Sequence, residues 1–476
     1  MVIGRVTDGM IDGVGRLTSS VTDTVSEAFM EPVVRLGVTG LSGAGKTVFI
    51  TALVHNLMNR ARMGQLRAVA SDRIAAAYLQ PQPDDTLPRF DFETHLAALT
   101  GPDPHWPEST RAVSELRLSF RLQPGGLFGP LRSAKVLHLD IIDYPGEWLL
   151  DLSLMDRSYR AWADTTLARM AARPFARDAL ERLQAVAPDA RHDEQLAREL
   201  AARFTDYLRA ARGHGHADVT PGRFLLPGQM EGSPALTFAP LPGPSGRAPR
   251  RSLLREMERR FEAYKSRVVQ PFFRNHFARI DRQVVLVDVL DALHHGPAAL
   301  TELGETMSDV LTAFRPGGNA WLSRLLRGRR VERILFAATK ADHLHHAQHA
   351  RLTGLVQALL RGARDRADFA GARTDAQSIA ALRATVEETR HRDGQSFECV
   401  RGRLLDGGRQ AAFYPGELPE DPAHLLAAAE GGPGWLDGDY SIMRFAPAAL
   451  TLKPGEGVPH IRLDRAAEFL IGDRLR

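Results

Sequence analysis

Apolar residues along this chain fall into short β-branched runs and longer stretches with three- to four-residue spacing, and the two kinds alternate. Residues 33–38 (VVRLGV) have the character of a buried parallel strand, and residues 48–58 (VFITALVHNLM) can continue as a helix. Residues 115–122 (ELRLSFRL) alternate polar and apolar, a glycine-proline turn follows at 124–130, and 135–142 (KVLHLDII) reads as the next strand, paired in hairpin fashion. Residues 283–290 (QVVLVDVL) and 333–338 (RILFAA) are further strands separated by a helical segment, and 379–382 (IAAL) is expected as another. This alternation predicts an α/β fold, a mostly parallel sheet with helices on both faces.

The segments between the strands carry their own patterns. Val2, Val6, Met10, Val14, Leu17, Val21 and Val25 recur at helical spacing, which predicts an N-terminal amphipathic helix over 1–32. Its polar face carries little positive charge, which favours packing on the protein itself over a lipid surface or a partner helix. Residues 60–110 form a long connection, rich in proline and aspartate at 81–88 and 102–107, longer than a compact domain needs and therefore functional or mobile. From 148 to 280 the pattern is mainly helical, broken by a proline- and glycine-rich stretch at 221–249. Beyond 390, short strand-like pieces near 397–405, turns and a final helix at 463–475 predict a small C-terminal extension over 391–476, packed on the sheet edge.

Composition narrows the options. At 476 residues the chain is too long for one core, so two or three units are expected. The net charge of +4 is too small and scattered for a nucleic-acid partner. The densest basic stretch, 247–282, is interrupted by Glu256, Glu258 and Glu262 and reads as a solvated helix face laced with ion pairs. Cys399 is the single cysteine, which excludes an intrachain disulfide and points to a reducing compartment. No run of about 18 apolar residues and no apolar leader are present, so neither a membrane span nor a secretory signal is expected.

Chemistry concentrates in three motifs. Gly40–Thr47 reads Gly-Leu-Ser-Gly-Ala-Gly-Lys-Thr and fits G-x-x-x-x-G-K-[ST] between a strand and a helix, the setting of a phosphate-binding loop. Ser42, Gly43, Ala44 and Gly45 would turn backbone N–H groups toward phosphates, Lys46 would reach the β/γ-phosphates, and Thr47 would offer its hydroxyl to Mg²⁺. Asp143-Tyr144-Pro145-Gly146 lies at the C-terminal end of a strand, where ligands bind in open α/β sheets. There Asp143 can hold Mg²⁺, directly or through water, and the Gly146 N–H can meet a γ-phosphate. Thr339-Lys340-Ala341-Asp342 matches [NT]-K-x-D, in which Asp342 accepts from guanine N1–H and 2-amino groups while the Lys340 stem lies over the base. Only Lys46, Lys135, Lys265, Lys340 and Lys453 are lysines, and two of them fall in these motifs.

Softer assignments complete the set. Thr110, with Ser109 as the alternative, precedes a strand where a switch threonine would reach Mg²⁺, and Ala384 follows the expected last strand, where its N–H could meet guanine O6. His343, His345, His346 and His349 have a pair at metal-ligand spacing but no accompanying thiolate, and read as an exposed helix.

The order GLSGAGKT, DYPGEW, TKAD, with FAATKAD and the closing His460-Ile461-Arg462-Leu463-Asp464, resembles the YcjX-like family of bacterial P-loop GTPases from about residue 33 to 475. The resemblance implies a Ras-like nucleotide domain, split here into 33–147 and 281–390 around a helical insertion at 148–280. It also implies a cytoplasmic, stress-associated protein and admits a membrane-protein neighbour, which would place the chain peripherally at the inner membrane. Glu147 stands after Gly146 where many small GTPases have glutamine, so Lys46, Gly146 and Glu147 are the catalytic candidates, Glu147 as an open question of how water is oriented. The reading is a slow, Mg²⁺-dependent GTP hydrolase that binds GTP and GDP and repositions its insertion. An ATPase or small-molecule kinase on the same loop remains open, as does a nucleotide-dependent adaptor for a membrane partner. Partner identity and oligomeric state are not legible.

Overall fold

The computed structural model describes residues 31–41, 43–108, 112–124, 135–243, 248–275, 279–312, 331–361, 371–392, 394–429, 431, 435–436 and 442–476. The expected N-terminal helix, Ser42, Ser109 and Thr110 lie outside the described residues. Seven strands form one sheet: β1 (Val33–Gly40), β2 (Ile74–Gln80), β3 (Ser114–Leu122), β4 (Lys135–Asp143), β5 (Arg282–Val287), β6 (Arg333–Ala338) and β7 (Arg373–Ser378), in the order β2-β3-β4-β1-β5-β6-β7. β4, β1, β5, β6 and β7 run parallel, while β3 is antiparallel to β2 and β4. The fold is an α/β P-loop architecture with a mostly parallel sheet.

Both faces of the central strands are apolar, as a sheet covered on two sides requires. Val34, Leu36 and Val38 of β1, with Val284, Leu286, Leu335 and Ala337, pack under the helix Lys46–Met58 and the C-terminal helix Leu463–Ile471. Val285, Val287, Ile334, Phe336 and Ala338 point the other way, into a core that runs without a break into the insertion. There Trp162 stacks on Phe261 with ring centroids 5.0 Å apart, and Phe238 meets Trp162 edge-on at 5.5 Å. The insertion and this face of the sheet therefore share one apolar interior. Its long helix Glu194–Gly213 starts at Asp193, whose side chain accepts the Leu196 N–H.

Several local expectations are corrected. The last parallel strand is Arg373–Ser378, not residues 379–382. An edge strand half open to water can be polar, whereas Ile379 and Ala380 are apolar because they form a buried loop beneath the C-terminal segment, with Ala380 bridged to Ile461. β5 stops at Val287 because Asp288 caps the next helix, accepting the Asp291 N–H at 3.2 Å. The connection at 60–110 is not bare: β2 and the helix Phe92–Thr100 lie in it. The alanine-rich IAAAYLQ of β2 has little intrinsic strand preference and forms by pairing with β3.

At the C-terminal end, β8 (Thr385–Arg392), β9 (Gln395–Arg403) and β10 (Gln410–Phe413) make a separate antiparallel sheet that begins before residue 391. The final helix lies across a sheet face over β5 and β6 rather than on the edge, because Ala466, Ala467, Leu470 and Ile471 give it a buried stripe. The basic stretch is the laced helix expected from its charges. Arg255, Arg259 and Lys265 pair with Glu258, Glu256 and Glu262, and the buried Arg260 reaches both Glu256 and Glu194.

Candidate functional site

β1 ends in a turn whose backbone fixes its glycines. Gly43 and Gly45 have φ of 79° and 82°, the left-handed region where a side chain is strained, although open space surrounds both. The helix from Lys46 then points its N-terminus into a cavity of about 620 Å³. Lys46 Nζ donates to the Gly40 carbonyl at 2.7 Å, and Thr47 is buried at the first helical turn. Gly43, Ala44, Gly45, Lys46, Thr47, Glu147, Thr339, Lys340 and Asp342 all line this one cavity.

Asp143 and Gly146 do not line it, although the next residue, Glu147, does. Asp143 is the last residue of β4, in register with Val38 of β1, and is 1% exposed. Gly146 is glycine for lack of room: its φ is −63°, but a Cβ would come within 2.0 Å of the Gly40 carbonyl oxygen. A Cβ on Gly222 of the insertion would likewise lie 1.9 Å from the Glu147 carbonyl oxygen. The Gly222 N–H donates to Asp151 at 2.8 Å, and the Tyr264 hydroxyl donates to the same carboxyl at 2.5 Å. Burial pushes the Asp151 carboxyl up to about 7 despite these donors and nearby Arg223. The Arg223 guanidinium lies 3.1 Å from the centre of the Trp148 ring, and burial lowers its pKa. Backbone and side chains of the insertion thus grip residues 147–151 directly.

The Glu147 side chain is 2% exposed, and its Oε1 lies 3.7 Å from Arg212 Nη1 at the end of the long helix. Arg212, Gly213, Gly215, His216 and Val219 form the insertion's wall of the cavity.

The end of the cavity at Thr339–Asp342 is assembled from distant pieces. Lys340 has φ 59° and pairs with Asp288. Asp342 is 4% exposed, and one of its carboxylate oxygens accepts the Ala384 N–H at 2.8 Å. That bond corrects the role expected of Ala384, whose N–H is committed to Asp342 and does not line the cavity. Ala380, Ala381 and Leu382 line it instead, and the Ala381 and Leu382 N–H groups make no hydrogen bond among the described residues. The misplaced strand shifted the loop by a few residues; the strand end at Ser378 was the signal for the true register.

Leu405, Arg444 and Phe445 close the far side, and Trp106 joins them, donating its Nε1–H to the Phe445 carbonyl at 2.8 Å. No motif marks these residues, since they meet only through the fold. The histidines after Asp342 are mostly buried, not an exposed helix. His343 lies edge-on to Phe445 at 5.3 Å with its pKa lowered by burial, and His349 Nε2 lies 2.8 Å from the Ala341 carbonyl oxygen. His345 accepts the Ala347 N–H at Nδ1 and holds Nε2 3.0 Å from Glu398, an arrangement of ordinary polar contacts.

Among the described residues no helix is long and apolar enough to cross a membrane. Residues 34–475 match the family described as "YcjX-like family, DUF463". The chain is 38% identical over 456 residues to the Ras-like GTPase YcjX of Escherichia coli (strain K12), covering 93% of this chain and 96% of the relative. It is 34% identical over 466 residues to the Ras-like GTPase YcjX of Shewanella oneidensis, covering 93% and 94%. A solved signal recognition particle receptor SRb-GTP/SRX complex from Chaetomium thermophilum aligns over 74% of this chain and 93% of its own at 12% identity and a TM-score of 0.24, too slight a likeness to carry weight.

Proposed function

The chain belongs to the YcjX-like family, and from that premise we propose that it binds GTP and GDP and hydrolyses GTP slowly with Mg²⁺. The observation that carries this reading is convergence: the phosphate loop and the Thr339–Asp342 segment, almost three hundred residues apart in sequence, line a single cavity. Lys46 and the N-terminus of its helix offset phosphate charge, and the Asp342 oxygen not taken by Ala384 selects guanine through its N1–H and 2-amino donors. Ala381 and Leu382, rather than Ala384, offer N–H groups for guanine O6.

Thr47, in the first turn of the helix after β1, and Asp143, at the end of the neighbouring β4, supply a hydroxyl and a carboxylate, hard oxygen donors of the kind Mg²⁺ prefers. The ion would neutralise charge between the β- and γ-phosphates. Thr110 remains a proposed third donor. Glu147 is proposed to orient the attacking water, and Gly146 to present its N–H to the γ-phosphate. The insertion's grip on residues 147–151 would pass a change at the γ-phosphate to its helices. A stress-associated role and a membrane-protein partner rest on the family resemblance.

Equilibrium affinities for GTP, GDP and ATP with Mg²⁺, measured beside phosphate release, test this. Tight guanine binding with slow release is expected. Preference for ATP would replace the reading with an ATPase or kinase, and binding without turnover would make the protein an adaptor.

A further inference from the structure

The small antiparallel sheet leaves one long edge open. β9 lies between β10 and β8, so β8 (Thr385–Arg392) has a neighbouring strand on one side only. The register of β8 with β9 runs without a shift to Arg392 opposite Gln395, the closing pair of a two-residue turn. A closing pair of that kind exchanges main-chain hydrogen bonds, so Arg392, Arg390, Glu388 and Val386 direct their backbone groups to β9. Glu387, Thr389 and His391 direct theirs away from it. Outside the strand pairing those three make no main-chain hydrogen bond among the described residues. Thr389, Arg390, His391 and Arg392 are exposed, as are Gln395 and Ser396 beyond the turn, so the end of this hairpin is open to water on both strands.

The charges along the edge are ordered. Glu387 and Glu388 come first, and Arg390, His391 and Arg392 follow. An open edge is a template for another strand, and charge decides which strand it accepts. Antiparallel pairing of β8 with β8 of a second copy, centred on Thr389, sets Glu387 opposite His391 and Glu388 opposite Arg390. The neighbouring two-fold registers are opposed, since one sets Glu388 against Glu388 and the other Arg390 against Arg390. In the favoured register Val386, apolar yet 48% exposed, lies against the aliphatic stem of Arg392.

The carboxylates already have partners within the chain. Glu388 accepts from Arg390 at 2.5 Å and from Arg401 at 3.0 Å, and Glu387 Oε2 lies 2.7 Å from His346 Nδ1. Ion pairs at the surface are weak, and a carboxylate can accept a further donor, so these contacts leave the cross-copy pairs available.

We propose that the β8 edge is a self-association surface, on which a second copy of this chain pairs antiparallel in the register centred on Thr389. Two three-stranded sheets then become one sheet of six. Glu387, Thr389 and His391 of each copy exchange main-chain hydrogen bonds with His391, Thr389 and Glu387 of the other, in a closed two-fold arrangement. The contact is one strand wide and polar, so the dimer depends on concentration and weakens as salt rises. β8 begins beside Ala384 and Thr385, both of which bond to Asp342, so the second copy sits next to the segment proposed to bind guanine. The inference does not depend on hydrolysis.

Sedimentation velocity of the full chain over a micromolar concentration series tests it, with a reversible dimer expected at low salt. Thr389→Pro removes the outward N–H at the two-fold centre and no bond to β9, and should weaken the dimer at least about tenfold with an unchanged melting curve. Glu388→Arg and Arg390→Glu should each be monomeric alone, because each sets like charges across the edge. Mixed in equal amounts, the two should associate again. Thr389→Cys should give a covalently linked dimer on mild oxidation, since opposite residues of a hydrogen-bonded pair lie about 5.5 Å apart at Cα. Glu387→Cys should not link, nor should wild type, whose Cys399 is buried.

A wild type that stays monomeric at every concentration in low salt overturns the proposal. So does a dimer that survives Thr389→Pro and fails to link in Thr389→Cys, which would place the interface elsewhere. Should Thr389→Pro lower the melting temperature, the mixed charge variants and the cysteine pair decide, and a mixture that remains monomeric overturns the register.

Discussion

At the proposed phosphate end of the cavity, consecutive residues from Gly40 to Thr47 supply the turn, the cation, the hydroxyl and the helix N-terminus. At the proposed base end, Thr339–Asp342, Ala380–Leu382 and Arg444–Phe445 arrive from separate segments, and Trp106 reaches across to join them. Geometry in the first case is set by local backbone preference, chiefly the positive φ of Gly43 and Gly45. In the second it is set by register: Ala380 bridges to Ile461, the Arg383 N–H donates to the Pro459 carbonyl, and the Ala384 N–H holds Asp342. A local site should lose function through its own residues, while a composite one should also lose it through its supports.

The largest expected effect is at the local end. Lys46→Ala removes the cation proposed to meet several phosphate oxygens, and charge-assisted bonds of about 1.5–3 kcal/mol each predict more than about a hundredfold loss in GTP and GDP affinity. Calorimetric titration of a variant with an unchanged melting curve checks this; unchanged affinity would break the assignment of the loop. Asp342→Asn follows at the composite end. Its amide oxygen can keep the Ala384 N–H, which turns the amide donors toward the base and costs about 1.5–3 kcal/mol, or roughly tenfold to more than a hundredfold in GTP affinity. Xanthosine triphosphate, with an acceptor where guanine donates, should gain relative to GTP. A variant that kept full guanine preference would remove Asp342 from base selection.

Gly146→Ala places a Cβ against the Gly40 carbonyl and should cost about 1–3 kcal/mol of stability, read as a lower melting temperature. A normal melting curve would mean that the contact relaxes freely. The buried carboxyls give a smaller, pH-dependent effect. Burial raises Asp151 and Glu115 to about 7, so both bind protons more tightly folded than unfolded. Their contribution is fully present below the unfolded values of about 4 and is lost as pH rises through about 7. The melting temperature should therefore decline between pH 5 and 8 by an amount that Asp151→Asn reduces, and a variant with the wild-type slope would clear Asp151 of the effect. The smallest effect is at the support of the base end. Trp106→Phe deletes one neutral hydrogen bond worth about 0.5–1.5 kcal/mol and should speed GDP release a few-fold, measured with a fluorescent analogue. An unaltered release rate would uncouple Trp106 from the base end.

The same contrast governs what the residues disclosed. The α/β sheet, the phosphate loop and the Thr339–Asp342 segment were readable because each announces itself within a few positions. β7 was misplaced because an edge strand need not be apolar, and the error carried Ala384 into a role that Ala381 and Leu382 are better placed to fill. Arg212 and Phe445 left no local trace, since their positions follow from how the insertion and the C-terminal segment pack. Gly146 was legible as glycine, but its cause, the approach of the Gly40 carbonyl, was not.

The long excursion between β4 and β5 also bears on how the chain is made. β5 pairs with β1, yet residues 144–281 separate it from the strands already beside β1. At ordinary synthesis rates that interval lasts on the order of ten seconds, during which one edge of β1 has no neighbour and a nascent sheet face lacks its cover. Unpaired edges template association. Chains released within the insertion should therefore aggregate, whereas those extending past Val287 can pair the open edge of β1.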